Sequence, residues 1–161
     1  MIVLALDLSL NRTGWAVIDT GARMKKKRLI GYGVISNKHL ASNQTGLKLF
    51  HIELQLKALL YAYNPDAIIV EELCGNAWLD TTQLSKVHGI LEKLTMKFKN
   101  IHYINNMTFK KEFAGTGKAK KEDVEAKVKE YFPNVVIRYD DESDAIGLAI
   151  LYTIQENLCT W

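Results

Sequence analysis

Short apolar runs and stretches of helical periodicity alternate along this chain. The apolar run at 2–6 is typical of a buried strand, because so short a run fits a strand better than a helix. Segments 14–19 and 29–35 predict two further strands, and the loop 21–28 between them predicts a hairpin. The remaining strand candidates are 67–70, 101–104 and 135–137.

Apolar residues at helical spacing predict the helices. Asn64-Pro65 is expected to end the first of them. Asp140 or Asp141 is expected to cap the last. The series that predicts the first helix is Leu47, Phe50, Leu54, Ala58 and Tyr61. Later helices are predicted at 84–98, 108–113, 120–131 and 142–158.

The order of these elements predicts an α/β fold. Three strands that can form a meander come first, and helices then alternate with the later strands. This order is typical of a mixed sheet with helices packed on it. The chain has 161 residues, of which 48% are hydrophobic. We therefore expect one domain, residues 1–161, with a core that needs no disulfide.

Composition and charge narrow the classes of function. No apolar run approaches the roughly 18 residues that a membrane helix needs, and the run at 2–6 is too short for a signal peptide. We therefore expect a cytoplasmic protein with no membrane partner. Cys74 and Cys159 are the only cysteines and are interpreted as buried free thiols. The net charge is +3, and the positive charge is concentrated at residues 110–121, which contain five lysines and one glutamate.

Four acidic residues are placed where they can meet. Asp7 and Glu71 each end a predicted buried strand, and sites in α/β sheets form at such strand ends. Asp141 and Asp144 are three residues apart, which puts both on the sheet-facing side of the last helix. Converging carboxylates favour Mg²⁺ or Mn²⁺, and two such ions can support phosphodiester hydrolysis. Taken singly, each acid also has a structural interpretation as a turn residue, a strand end or a helix cap.

Four motifs occur in the order that is found in a known family. They are the strand and hairpin segments 4–7 and 13–18, the strand end 69–72, the Gly-Thr-Gly-Lys-Ala-Lys-Lys loop 115–121, and Asp-Glu-Ser-Asp-Ala at 141–145. Together they resemble the RuvC Holliday-junction resolvases, over roughly residues 2–155. The resemblance implies a ribonuclease-H-like fold with a mixed five-stranded sheet flanked by helices.

The resemblance also implies an activity and its residues. The activity is a metal-dependent endonuclease that resolves four-way DNA junctions in recombination and repair, leaving 5′-phosphate ends and using no nucleotide cofactor. Asp7, Glu71, Asp141 and Asp144 would bind two Mg²⁺ ions, for which Mn²⁺ can substitute. Lys110 and Lys121 match the family's catalytic lysines.

The resemblance further implies a homodimer that binds branched DNA. The helix containing Leu84, Val87 and Gly89 is the implied dimer surface. Two interpretations stay open for the Lys25–Arg28 loop, which is either a solvated loop or a second DNA contact. The residues expected at the DNA are Lys110, Lys111, Gly115, Gly117, Lys118, Lys120, Lys121 and Trp78.

Three departures from the family pattern affect the turn after the first aspartate or the specificity. Leu8-Ser9 replaces the usual Pro-Gly after the first aspartate. Cys74 stands where a base-stacking aromatic is expected, and Trp78 either takes over stacking or packs in the core. The chain is short and resembles the phage-encoded branch, in which specificity for four-way junctions is relaxed.

Other classes of function are weighed against this one. Actin-like and sugar-kinase-type phosphotransferases also open with a strand, an aspartate and a Thr-Gly hairpin, but they need two such domains. A DNA-binding module without catalysis is disfavoured because all four acids are present. Another ribonuclease-H-like nuclease, such as one that processes ribosomal RNA, is disfavoured by the 115–121 loop. A relaxed debranching nuclease remains the nearest alternative.

Overall fold

A computed structural model describes residues 1–21, 28–72, 78–97 and 100–158. Cys74, Cys159, Phe98 and most of the Lys25–Arg28 loop therefore lie outside the described residues. The strands are β1 (Ile2–Asp7), β2 (Arg12–Asp19), β3 (Arg28–Ser36), β4 (Ala67–Glu71) and β5 (Ile101–Ile104). The helices are α1 (Thr45–Tyr63), α2 (Trp78–Thr95), α3 (Asn106–Ala114), α4 (Lys121–Tyr131) and α5 (Asp140–Gln155).

The strands form one mixed sheet in the order β3-β2-β1-β4-β5. The first three strands are an antiparallel meander, and β4 and β5 continue the sheet in parallel with β1. This confirms the predicted mixed five-stranded α/β sheet. Because Leu6 pairs with Val70 in the parallel β1–β4 ladder, Asp7 and Glu71 follow side by side at the same edge.

Helices cover both faces of the sheet. The α5 helix lies across β1 and β2, with Ala145 and Leu148 completely buried as predicted. Its close approach depends on Gly14 in β2, where an added Cβ would lie 2.0 Å from the Asp141 carbonyl oxygen. Since Gly14 pairs with Asp7, this contact brings the first turn of α5 next to the end of β1. On the other face α1 and α2 pack through residues such as Ile52 and Leu91.

The strand predicted at 135–137 is wrong. This segment has no regular secondary structure and does not join the sheet, and α5 begins at Asp140. The Tyr32 hydroxyl donates to the Val136 carbonyl at 3.1 Å and accepts from the Val136 N–H at 3.3 Å. One side chain thus satisfies backbone groups that a neighbouring strand would otherwise bind.

The buried face of α1 is not the face that carries the apolar residues from which the helix was predicted. Ile52 and Leu56 are completely buried, and the aliphatic part of Lys48 packs beside them while its ammonium donates to Asn11. The exposed members of the series are Leu47, Phe50, Leu54, Ala58 and Tyr61. Apolar residues occur on both sides of α1, so helical spacing identified the helix and not its buried side.

One further prediction is corrected. Tyr139, rather than Asp140 or Asp141, is the N-cap residue of α5, and the Glu142 carboxylate accepts from the Arg138 and Tyr139 N–H groups. The dimer surface on α2 stays a prediction; of its residues, Val87 is completely buried in the chain's own core and Gly89 is exposed. Within the described ranges, no helix combines the length and hydropathy needed to cross a membrane.

Candidate active site

The strand ends of β1 and β4 supply the first two acids of the site. The chain turns sharply after Asp7 without the Pro-Gly pair expected there. The Thr13 hydroxyl holds this turn, because it donates to the Ser9 carbonyl at 2.7 Å and accepts from the Ser9 N–H at 3.1 Å. Leu8 is buried in the core beneath the turn. Side-chain hydrogen bonds and apolar burial therefore fix the direction of the chain after Asp7.

The first two turns of α5 supply the other two acids. Asp141 and Asp144 are half-buried and lie beside the strand ends because Gly14 lets the helix approach. The N-terminus of a helix carries a partial positive charge, which favours carboxylates there. The fold thus places all four predicted acids at the same end of the sheet.

The neighbouring acids also affect one another's pKa values. Burial raises the pKa of Asp7 well above its ordinary value, and the neighbouring charges of Glu71, Asp144 and Asp141 raise it further. Burial, followed by the charge of Glu71, raises the pKa of Asp144 to about 6. We call Asp7 and Asp144 the inner pair. The surroundings of both carboxyl groups disfavour their negatively charged form.

Glu71 is oriented by residues of α3. The Asn106 amide nitrogen donates to Glu71 Oε1. Burial raises the pKa of Glu71, while the Asn106 hydrogen bond and the charge of Lys110 act in the opposite direction. Lys110 also lowers the pKa of Asp144, so its ammonium lies near both acids. The predicted catalytic lysine is therefore at the site.

Two cations bind the start of α5. Arg12 donates from Nη2 to Asp140 Oδ1 and from Nε to Asp141 Oδ2. Lys121 donates to the other oxygen of Asp140, and its charge also acts on Asp7 and Asp144. We call Asp140 and Asp141 the outer pair. Lys121, the second predicted catalytic lysine, thus reaches the acids from α4.

Two features make these acids suitable ligands for a metal ion: their carboxylate oxygens, and one buried oxygen atom of Asp144. Asp144 Oδ1 is buried and has no hydrogen-bond partner, a state shared in the described chain only by Gln83 Oε1. An acceptor in that position is costly unless a cation or a donor reaches it. In this structure no three His, Cys, Asp or Glu side chains of the described residues already converge as a ligand cluster. Arg12 and Asn106 instead hold Asp141 and Glu71.

The basic segment begins and ends with the two lysines whose charges act on the acids, Lys110 and Lys121. Lys111 and Lys118 line one cavity of about 440 Å³ together with Gly117. Gly115 ends α3 with φ of 84°, a left-handed conformation that glycine adopts without strain. The exposed lysines of this segment are Lys111, Lys118, Lys120 and Lys121. Trp78 begins α2, but its side chain lies outside what the structure describes.

Sequence reasoning missed three residues that the structure places at the site. Arg12 and Asp140 form the outer ion pairs, and Asn106 orients Glu71. Asp140 was considered only as a helix cap. A basic residue just before the Thr-Gly hairpin was the available signal for Arg12. Nothing in the spacing of Asn106 indicated its partner, because the two residues meet only through the β4–β5 ladder.

The fold and the acidic strand ends define a nuclease class, and comparisons with known proteins agree. Residues 3–152 match the profile of the family described as "Crossover junction endodeoxyribonuclease RuvC". The chain belongs to this family, which confirms the resemblance found in the motifs.

Individual relatives extend over almost the whole chain. The crossover junction endodeoxyribonuclease RuvC of Gluconobacter oxydans is 32% identical over 153 residues, which cover 93% of this chain and 88% of that protein. The Zymomonas mobilis protein of the same name is also 32% identical, covering 94% and 90% respectively.

Solved structures share the fold. The structure described as T. thermophilus RuvC in complex with Holliday junction substrate has a TM-score of 0.81 at 19% identity, covering 98% of this chain and 96% of that one. The fowlpox virus resolvase bound to Holliday junction DNA has a TM-score of 0.64 at 19% identity, covering 97% and 99%.

Proposed function

We propose that this protein resolves Holliday junctions, cutting paired strands of four-way DNA by phosphodiester hydrolysis in recombination and repair. Its family consists of crossover junction endodeoxyribonucleases. The relatives solved with Holliday junction DNA share its fold. We further propose that it works as a homodimer in the cytoplasm. The relatives from Gluconobacter and Zymomonas are bacterial, and a phage-encoded origin stays a prediction.

The unpartnered Asp144 Oδ1 is the observation that carries the metal-dependent part of this proposal. It lies among acids at which burial first, and then the charges of neighbouring acids, raise the pKa of Asp7 and of Asp144 itself. A divalent cation removes that repulsion and supplies the missing partner. We propose two Mg²⁺ ions, for which Mn²⁺ substitutes, held by Asp7, Glu71, Asp141 and Asp144. When bound, such ions activate water and neutralise charge on the scissile phosphate and the leaving oxygen.

The chain's own residues position the substrate. Asn106 donates to Glu71 Oε1 and so restrains the orientation of this carboxylate. Lys110 and Lys121 place positive charge near the acids. We propose that both contact the DNA near the scissile phosphate, where fixed cations stabilise developing negative charge.

The remaining basic residues are proposed to bind the DNA backbone. Lys111 and Lys118 line one cavity next to α3, and Lys120 is exposed at the start of α4. Gly115 and Gly117 leave the backbone of this loop without side chains where a phosphate would approach. The roles of Trp78 and of the Lys25–Arg28 loop stay predictions.

Cleavage of defined DNA structures tests the proposal. The purified protein is incubated with labelled four-way junction, replication-fork, flap and linear duplex DNA in Mg²⁺, Mn²⁺ or EDTA. We expect paired symmetric nicks in the four-way junction with either metal and none in EDTA. Cuts of similar rate in every branched form would indicate a relaxed debranching nuclease instead. Binding without cleavage in either metal would contradict the enzymatic proposal.

A further inference from the structure

The Arg12 guanidinium is held at the acidic site by three neighbours. It donates to Asp140 and to Asp141 through different nitrogens, and the Tyr139 ring lies 4.8 Å from its central carbon. Its side chain is only 19% exposed. A planar fork with a donor on each carboxylate and an aromatic face beside it is a well-defined binding arrangement for arginine.

This arrangement places a cation on one of the four acids proposed to bind metal. Arg12 and its hydrogen bond oppose the rise that burial causes in the pKa of Asp141. Asp144, three residues later on the same helix, has a buried oxygen with no partner. The chain therefore neutralises Asp141 itself and leaves Asp144 without a bonded cation.

We propose that Arg12 is a built-in counter-cation that competes with the divalent metal for Asp141 and yields that carboxylate when the metal binds. The inference rests on the proposed metal site. Arg12 is then a positioning residue, because it acts through Asp141 rather than by touching the reacting atoms. Asp140 is its anchor: the Nη2 bond to Asp140 does not depend on Asp141, so the guanidinium stays at the site after Asp141 is released.

The direction of the effect follows from charge. A guanidinium on Asp141 occupies a lone pair of Oδ2 and repels any cation that approaches the same carboxylate. Removing it should therefore strengthen metal binding. The same change should weaken the metal-free fold, because Asp141 then loses its bonded cation and Asp140 keeps only Lys121.

Metal titration of an Arg12 variant tests this inference without reference to cleavage. Mn²⁺ is titrated calorimetrically into the full-length protein in the absence of DNA, and melting temperatures are measured in EDTA. For Arg12→Gln we expect Mn²⁺ affinity to rise about tenfold. We also expect the metal-free melting temperature to fall by about 3 °C.

Arg138→Gln is the matched control. It removes the same charge from an exposed residue just ahead of α5, and should change Mn²⁺ affinity by less than about twofold. If Arg12→Gln does not fold, Arg12→Lys carries the test. It keeps the charge but cannot donate to both carboxylates at once, and should bind Mn²⁺ about threefold more tightly than the wild type.

The outcomes separate this inference from the proposed function. If the wild type binds Mn²⁺ and the folded Arg12 variant binds it equally or more weakly, the competition is overturned and the metal site stands. If the wild type binds no Mn²⁺, the proposed metal site fails and the competition fails with it. The inference is supported if the Arg12 variant binds Mn²⁺ more tightly than the wild type and Arg138→Gln does not.

Discussion

The inner and outer pairs of acids contain the same side chain in different surroundings. Burial raises the pKa of Asp7 and of Asp144, and one buried oxygen of Asp144 has no hydrogen-bond partner. Asp140 and Asp141 bind Arg12, and Lys121 lowers the pKa of Asp140. The chain's own cations bind the outer pair, and we propose that the inner pair is neutralised by an external one.

The largest expected effect is on catalysis at the inner pair. Asp7→Asn should reduce junction cleavage by roughly 10²–10³-fold, the range for losing a group that stabilises developing charge. Junction binding in EDTA should be kept or tightened, because a negative charge near the DNA is removed. Rates and binding are measured on the four-way junction. Glu72→Gln, at an exposed neighbour of Glu71, is the control and should cut within about twofold of the wild type. An unchanged rate in Asp7→Asn would show that Asp7 is not a ligand.

The next effect is on stability and its dependence on pH. The pKa of Asp144 is raised in the folded state, so the wild type loses stability as pH rises from about 4 through about 6. Asp144→Asn lacks this loss. Without metal, the variant should exceed the wild type by about 2–3 kcal/mol above pH 7, and this advantage should vanish near pH 4. Urea unfolding in EDTA at several pH values measures it. A variant advantage that is equal at pH 4 and pH 8 would contradict the assignment.

Lys121 joins the two pairs and should have a smaller effect on rate. It binds Asp140 and also lowers the pKa of Asp7. Lys121→Met should slow single-turnover cleavage about tenfold, which corresponds to about 1.4 kcal/mol. The fold should survive, because this side chain is 62% exposed. Lys129→Met, in a surface pair at the other end of α4, is the control and should leave the rate unchanged. Equal cleavage rates for the two variants would show that Lys121 does not contribute to catalysis.

The smallest effect distinguishes Asp140 of the outer pair from Asp144 of the inner pair by its sign. The pKa of Asp140 is lowered in the folded state, so its charge contributes stability above its unfolded pKa and loses it as pH falls. Asp140→Asn should therefore destabilise the metal-free protein by about 1 kcal/mol at pH 7, given partial exposure. Asp144→Asn should do the opposite. Unfolding curves of the two variants, measured side by side, provide the comparison. Stabilisation by both would remove the distinction between the pairs.

Much of the fold could be predicted because its signals are local. The apolar runs identified all five strands of the sheet, and the positions of Asp7 and Glu71 at strand ends brought the two acids together. The error at 135–137 arose because an apolar run does not show whether a partner strand exists. Here the hydroxyl of distant Tyr32 binds the segment instead.

The unpredicted parts depend on contacts between distant segments. Arg12 and Asp140 are 128 positions apart and meet only because Gly14 admits α5 to the surface of β2. The buried side of α1 could not be assigned, since apolar side chains such as Phe50 and Ile52 point to opposite sides. Periodicity reports that a helix is apolar, while the packing of the sheet decides which side is covered.

Anomalous diffraction from crystals grown with saturating Mn²⁺ tests the central claim most directly. We predict a manganese peak within bonding distance of both Asp7 and Asp144 Oδ1, with the Arg12 guanidinium moved off Asp141 and still bound to Asp140. A map with no manganese at the inner pair, or with the four carboxylates each bound elsewhere, would contradict the claim.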